Sequence, residues 1–105
     1  MRTPVHPSNE SMSLSGVLYA LSDPARLSIV QSLASKGAQS CGALSLPVAK
    51  STASHHFRVL REAGLIQMQA EGTQFINSLR RADLDSRFPG LLDAVLQASG
   101  AGQDG

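Results

Sequence analysis

The chain has 105 residues, 42% of them hydrophobic, with a formal net charge of +1 and a single cysteine. This length predicts one small domain, the hydrophobic content excludes a disordered chain, and one cysteine excludes an internal disulfide framework. No stretch is apolar over the length of a membrane span, and the N-terminus lacks the apolar run of a signal peptide, so we expect a cytoplasmic protein without a membrane partner.

Both ends of the chain are predicted to be tails. Residues 1–12 contain two prolines and almost no apolar side chains, and residues 100–105 are small and polar. We therefore expect a flexible N-terminal tail (1–12), a folded domain over 13–99 and a flexible C-terminal tail (100–105). A domain of this size builds only a modest core and is often helped by oligomerisation.

Two helices are predicted at the start of the domain. The first is indicated by apolar residues at the i, i+3, i+4 and i+7 positions of one helix face, namely Leu14, Val17, Leu18 and Leu21. The second follows Asp23, a good N-cap residue, with Pro24 at its first position, and ends near Gly37, which tolerates a left-handed backbone. Arg26, near its start, is expected to form a salt bridge.

The centre of the chain predicts a helix-turn-helix. Residues 41–46 indicate one or two helical turns ended by Pro47. A longer helix follows and stops at Gly64; Ser51 suits its N-cap, and a start at Lys50 or Val48 is the alternative. A short helix, a tight turn and a longer helix make up this motif.

The rest of the chain predicts a hairpin and a closing helix. Residues 65–70 and 73–79 have the pattern of two strands, joined by a turn at Glu71 and Gly72. Asp83 or Asp85 suits the cap of a final region, in which residues 91–98 have the apolar face of a helix. The expected fold is therefore mainly α with a small β-hairpin, a winged helix-turn-helix, and we expect it to be dimeric.

The longer central helix has one face suited to DNA. At about 100° per residue, its apolar side chains fall on one side, while hydroxyl, imidazole and guanidinium groups lie opposite, toward the N-terminal half. A recognition helix presents such groups to base edges in the major groove, where an arginine binds guanine or a phosphate. Residues 36–61 also carry four cations and no carboxylate. The candidate DNA-binding residues of this segment are Lys50, Ser51, Thr52, Ser54, His55, Arg58 and Arg61.

The adjacent histidines in this helix do not indicate a metal site or a catalytic site. His55 and His56 diverge by about 100°, whereas helical metal ligands are usually four residues apart. Ser54 and His55 do not face each other, and no carboxylate is placed to orient the imidazole. We therefore predict no enzymatic activity, no metal and no cofactor, and we expect His56 to pack against another helix or a partner subunit.

Three segments resemble the ArsR family of bacterial winged-helix repressors: ALSDPARLSIVQSLA (20–34), STASHHFRVLREAGLI (51–66) and AEGT (70–73). The resemblance covers residues 14–96, and its strongest motifs are D-P-x-R-L and S-x-x-S-H-H-x-x-V-L-R-x-A-G-L. It implies a homodimer that is joined through the first and last helices and binds an inverted-repeat operator in double-stranded DNA. It also implies that ligand binding releases the protein from this DNA. By position it also implies that Gly72 and Thr73 form the wing tip and bind DNA.

This sequence departs from the metal-sensing members of that family. They carry a C-x-C pair on the short helix, where this chain has Cys41 alone, or Asp and His pairs on the last helix, where it has Asp93 and no histidine. We therefore expect no response to zinc, cadmium or arsenite, and an unknown small-molecule or redox effector stays open. Cys41 itself is expected to be a small buried hydrophobe.

A dimer is also favoured by the residues themselves, because the first and last helices have more apolar surface than so small a core covers. Pairing would place two recognition helices about 34 Å apart, one turn of the duplex. The alternative function is a winged-helix module that binds a protein partner without reading DNA. Duplex binding that falls steeply with salt separates the two.

Overall fold

The structure, a computed structural model, describes residues 4–44 and 46–104. Over these residues the chain forms five α-helices and a three-stranded antiparallel sheet. The helices are α1 (Leu14–Leu21), α2 (Pro24–Lys36), α3 (Lys50–Ala63), α4 (Arg81–Arg87) and α5 (Leu91–Asp104), and the strands are β1 (Gln39–Ser40), β2 (Ile66–Glu71) and β3 (Gln74–Leu79). A single 3-10 turn at Asn9–Ser11 precedes α1.

The first two helices begin where the sequence predicts. The Asp23 carboxylate accepts hydrogen bonds from the backbone N–H of Ala25 (2.9 Å) and of Arg26 (3.1 Å), and Pro24 occupies the first turn of α2. These bonds satisfy donors that a helix N-terminus leaves free. The helix ends at Gly37, whose φ is 85°. The capping residue and the stop signal predicted for α2 are both confirmed.

The one or two helical turns predicted at residues 41–46 are reduced to a single turn in the part of this segment that the structure describes, and residue 45 lies outside that part. Residues 41–44 form a turn, in which Leu44 N–H donates to the Ser40 carbonyl (3.2 Å) and Ala43 N–H donates to the Ser40 hydroxyl (3.1 Å). The reason lies just before it, where Gln39 and Ser40 pair with β3 as an extended strand. Gly42 also favours a turn over a helix. Among the described residues, a single hydrogen-bonded turn therefore stands where one or two helical turns were expected.

The predicted hairpin is confirmed, with its turn one residue later than expected. β2 and β3 are antiparallel from Ile66↔Leu79 to Glu71↔Gln74, so the two-residue turn is Gly72–Thr73. Gly72 has a φ of 63°, which a glycine adopts without strain. β1 adds a third strand that the sequence did not indicate, and the sheet order β1-β3-β2 leaves β2 at an edge.

The core connects the helices to one face of the hairpin. Its most deeply buried large side chains come from α1, α2, α3, α4, β2 and the residue before β2, and they include Val17, Ile29, Val30, Leu60, Leu65, Ile66 and Leu84. On β2, Ile66 and Met68 are buried while Gln67 and Gln69 are exposed, as the alternating pattern predicts. The sheet thereby fixes α3 from behind.

The segment before α1 lies against the domain, although the sequence predicted a flexible tail there. Met12 is buried, Met68 N–H donates to His6 Nε2 (2.9 Å), and Arg80 donates to the Pro7 carbonyl (2.9 Å). These contacts are with residues far along the chain, so local composition did not indicate them. The domain boundaries at 13 and 99 remain a prediction.

The end of the chain contains two helices separated at Pro89 and Gly90. Arg81 pairs with Asp93 and so connects α4 to α5. α5 continues to Asp104 and includes residues that the sequence assigned to a C-terminal tail. Over the described residues, no helix combines the length and the apolar character that crossing a bilayer requires.

Candidate nucleic-acid interface

α3 is anchored from one side and open on the other. His56, Phe57 and Leu60 are buried against the core, and Gly64 ends the helix in a left-handed conformation with a φ of 93°. The helix begins at Lys50 and not at the favoured N-cap Ser51, which confirms one of the alternatives. Ala49 is the N-cap and forms no side-chain cap bond within the described chain. The backbone N–H groups of the first turn are therefore free to meet an anion.

The predicted polar face of α3 is exposed. Six of the candidate residues on this helix are open to solvent: Lys50, Ser51, Thr52, Ser54, His55 and Arg58. The apolar residues Phe57 and Leu60 lie on the opposite side, as the helical period predicts. The orientation of the face is confirmed, and contact with DNA remains a prediction for each residue.

Arg61 departs from the other candidates. Its side chain is only 21% exposed, and its guanidinium lies 3.9 Å from the Glu62 carboxylate. Arg61 lies three residues past Arg58 and is therefore rotated by about 300°, which places it about 60° from Arg58 around the helix axis, toward the core side. Arg61 therefore lies behind the exposed face and not on it.

The turn of the hairpin, here called the wing tip, is a second exposed feature. Gly72 and Thr73 are both exposed, as expected for the two wing residues. Glu71, next to them, is also exposed, and the sequence analysis did not single it out. A carboxylate at this place repels phosphate, so it weakens any general attraction between the wing tip and nucleic acid.

A buried polar cluster connects α3 to the junction between α1 and α2. Arg26 donates to the Ala20 carbonyl (2.7 Å) and to Nδ1 of His56 (3.2 Å), and Nε2 of His56 lies 3.8 Å from the Asp23 carboxylate. Because a guanidinium only donates, His56 Nδ1 acts as an acceptor. The expected salt bridge of Arg26 is thus replaced by bonds to a carbonyl and an imidazole. His56 is confirmed as a residue that packs between helices.

The cluster also affects Asp23. A hydrogen bond from the Arg26 backbone N–H, followed by one from Ala25 and by the nearby His56 and Arg26 side chains, lowers the pKa of the Asp23 carboxyl. Asp23 is therefore ionised at neutral pH and holds the start of α2 while facing His56. The sequence carried the two motifs that supply this cluster, but nothing in it indicated that Arg26 and His56 touch across thirty positions.

Cys41 is half-buried beside the sheet. Its Sγ accepts a hydrogen bond from Asn77 Nδ2 at 3.3 Å, so the thiol has a polar partner that the sequence did not indicate. Within the residues described, no group of three or more His, Cys, Asp and Glu side chains is placed to hold a metal ion. Cys41 thus belongs to the packing around the turn at 41–44.

Comparisons with known proteins agree with this geometry. A family model described as a helix-turn-helix domain matches residues 21–69, from the end of α1 into β2. The HTH-type transcriptional regulator YceK of Bacillus subtilis (strain 168) is 37% identical over 82 residues, which cover 75% of this chain and 82% of that protein.

Two solved structures have the same fold. The transcriptional repressor BigR from Xylella fastidiosa superposes with a TM-score of 0.64 at 28% identity, over 81% of this chain and 84% of that one. An ArsR-like transcriptional regulator from Rhodococcus sp. RHA1 gives a TM-score of 0.61 at 28% identity, over 87% and 82% of the two chains.

Proposed function

The chain belongs to the ArsR family of winged helix-turn-helix transcriptional regulators, and we propose that it acts in the cytoplasm as a homodimeric repressor. In this proposal it binds an inverted-repeat operator in double-stranded DNA and leaves it when an effector binds. The observation that carries the proposal is the exposed face of α3, where hydroxyl and imidazole groups follow a helix start without a side-chain cap and the Arg58 guanidinium lies about one turn past His55. This is the part of a recognition helix that meets base edges.

The proposed roles follow from side-chain chemistry. Arg58 is long enough to bind a guanine through two hydrogen bonds, or a phosphate. Ser51 and Ser54 are short, so they allow α3 to lie deep in the groove while their hydroxyls bind phosphate or base. His55 donates to either. Lys50 and Thr52, in the first turn, bind backbone phosphates together with the free N–H groups of that turn.

The wing tip and Arg61 have separate roles in the proposal. Gly72 and Thr73 approach the DNA backbone beside the groove that α3 occupies, and the missing side chain of Gly72 permits a close approach. Arg61 is largely covered. We therefore assign it to the surface behind the recognition face, where it adds positive potential without a base contact.

The proposed dimer interface uses the apolar surface that the monomer leaves open on α1. Leu14, Leu18 and Tyr19 are 48%, 46% and 62% exposed. A continuous apolar patch on a small domain favours association, and a two-fold axis buries the same patch on both copies. Two recognition helices then bind two half-sites, which raises affinity well beyond that of one helix. The proposed release signal is not a metal, because the ligand sets of the metal sensors are incomplete in this sequence.

Binding to selected DNA tests the proposal. Genomic fragments retained by the purified protein give the operator, and fluorescence anisotropy then measures affinity over a series of salt concentrations. We expect a steep fall of affinity with salt. Arg58→Ala should weaken binding by about 1–3 kcal/mol and relax specificity at one base pair if Arg58 reads a base. If Arg58 meets only phosphate, the loss should be uniform across operator variants and the salt slope should shrink.

A matched control and a refuting outcome complete this test. Arg87 is also an exposed arginine but lies on α4, so Arg87→Ala should leave DNA affinity unchanged. Equal effects of the two substitutions would remove Arg58 from the recognition face. Duplex binding that is absent, or that is insensitive to salt, would favour the alternative of a winged-helix module for a protein partner.

A further inference from the structure

A groove of about 470 Å³ borders the recognition face, between α3, the turn at 41–44 and the hairpin. Its apolar surface comes from Phe57 on α3, Met68 on β2 and Phe75 on β3. Its volume falls within the roughly 300–1,000 Å³ of pockets that hold small molecules. An apolar lining of this kind suits a ring or a short alkyl chain and not a hydrated phosphate.

The rim of the groove is cationic. Lys50, Arg58 and Arg61 line it, and none of the described lining residues is a carboxylate. Glu62 lies 3.9 Å from the Arg61 guanidinium but is itself well exposed, so water screens that pair strongly. The groove therefore retains an excess of positive charge beside its apolar surface.

Arg61 supplies an independent observation. Its Nε is buried and has no hydrogen-bond partner among the described residues. A buried donor without an acceptor is costly, and the cost is greater when the donor belongs to a charged group. Because Arg61 lines the groove, an anion bound there would offer this donor an acceptor.

We propose that this groove binds a small amphipathic anion, with an aromatic or aliphatic body on Phe57, Met68 and Phe75 and a carboxylate, sulfonate or phosphate group on the cations. The proposal deepens the proposed function and rests on it, since Lys50 and Arg58 are also candidate DNA contacts. A bound anion neutralises these side chains and competes with DNA phosphates for them. By thermodynamic linkage, DNA and the anion then weaken each other's binding by the same factor.

A fluorescent dye tests the groove in the full-length protein without DNA. The probe is 8-anilinonaphthalene-1-sulfonate, an aromatic body with one sulfonate, and its neutral counterpart is N-phenyl-1-naphthylamine. We expect saturable binding of the sulfonate and weaker binding of the neutral dye. Arg61→Met keeps the aliphatic stem and removes the charge, and it should weaken the sulfonate about tenfold. Arg61→Lys should retain most of the affinity.

The refuting outcomes are distinct from a failure of folding. Far-ultraviolet circular dichroism and thermal unfolding check that Arg61→Met is folded. Independently of any variant, amide chemical shifts of the unaltered protein should change on dye binding around Gly42, Ala53 and Phe75, which line the groove. Changes confined to the exposed side chains of α1, or equal binding of both dyes, would overturn the proposal.

Competition with DNA separates this proposal from the proposed function. His55 is exposed outside the groove, so His55→Ala should weaken DNA and leave dye affinity unchanged. A saturating concentration of 2-naphthalenesulfonate, chosen because it does not interfere with the fluorescence of the anisotropy label, should lower operator affinity at constant ionic strength. Dye binding without this effect would show that the groove is no effector site. Operator binding without dye binding would refute the proposal that the groove binds an anion and would leave the proposed DNA-binding function intact.

Discussion

Gly64→Ala is expected to destabilise the protein through two separable effects. Gly64 has a φ of 93°, and the left-handed conformation costs a residue with a Cβ about 1–2 kcal/mol. A Cβ at this position would also lie 2.6 Å from Met12 Cγ and 2.8 Å from Met12 Sδ, far closer than carbon atoms normally approach. Overpacking of this kind costs about 1–3 kcal/mol, so the free energy of unfolding should fall by about 2–5 kcal/mol.

Urea denaturation of four proteins separates the two effects: the unaltered chain, Gly64→Ala, Met12→Ala and the double variant. Met12→Ala removes a buried side chain and should cost about 2–5 kcal/mol alone. It also removes the atoms with which the new Cβ collides, so the double variant should be more stable than the sum of the single effects by about 1–3 kcal/mol. Gly90→Ala is the matched control, because Gly90 has a φ of 80° and no atom within 4 Å of the added Cβ.

Additive effects of Gly64→Ala and Met12→Ala would refute the steric part of this reasoning. They would mean that Met12 does not pack on the end of α3 in solution. A Gly64→Ala effect no larger than that of Gly90→Ala would lead to the same conclusion.

Three further predictions concern single residues. Burial, together with the charges of Arg80 and Arg61, lowers the pKa of the His6 imidazole below 6.5, so the unfolded chain takes up a proton before the folded protein does. The free energy of unfolding should therefore fall as the pH drops below 6.5, and the urea midpoints of His6→Gln should lack this dependence. Arg26→Met leaves buried acceptors without their donor and should lower the free energy of unfolding by about 1.5–3 kcal/mol in urea, and a smaller loss than that of an exposed arginine variant would contradict this role. Glu71→Gln removes the wing-tip carboxylate and should raise operator affinity by up to about fivefold in anisotropy titrations; unchanged affinity would place the wing tip away from the DNA.

The sequence was most informative where local chemistry decides the conformation. Asp23 and Pro24 predict the start of α2 because capping and a fixed φ act within one helical turn. The apolar period of α3 predicts which side chains are exposed, because the helix has a single buried face. Gly64 marks its end for the same local reason.

Features that depend on long-range pairing were not predictable. β1 consists of two polar residues, and it forms because they pair with Asn77 and Ile76 along the edge of β3 that β2 leaves open. That pairing keeps Gln39 and Ser40 extended, and only the hydrogen-bonded turn at 41–44 follows where one or two helical turns were expected. The contact between Arg26 and His56 and the acceptance of a hydrogen bond by His6 likewise join positions that no sequence spacing relates.

The hydrogen bond from Met68 N–H to His6 has a consequence for handling the protein. β2 is an outer strand of the sheet, and such strands recruit further strands from neighbouring molecules when their N–H groups are open. The N-terminal segment, whose composition suggests a tail that could be removed, therefore covers part of this sheet edge. A shortened chain that starts at Ser13 would lose both the hydrogen bond from Met68 to His6 and the buried side chain of Met12. We expect such a chain to self-associate through the exposed edge of β2 as the protein is concentrated.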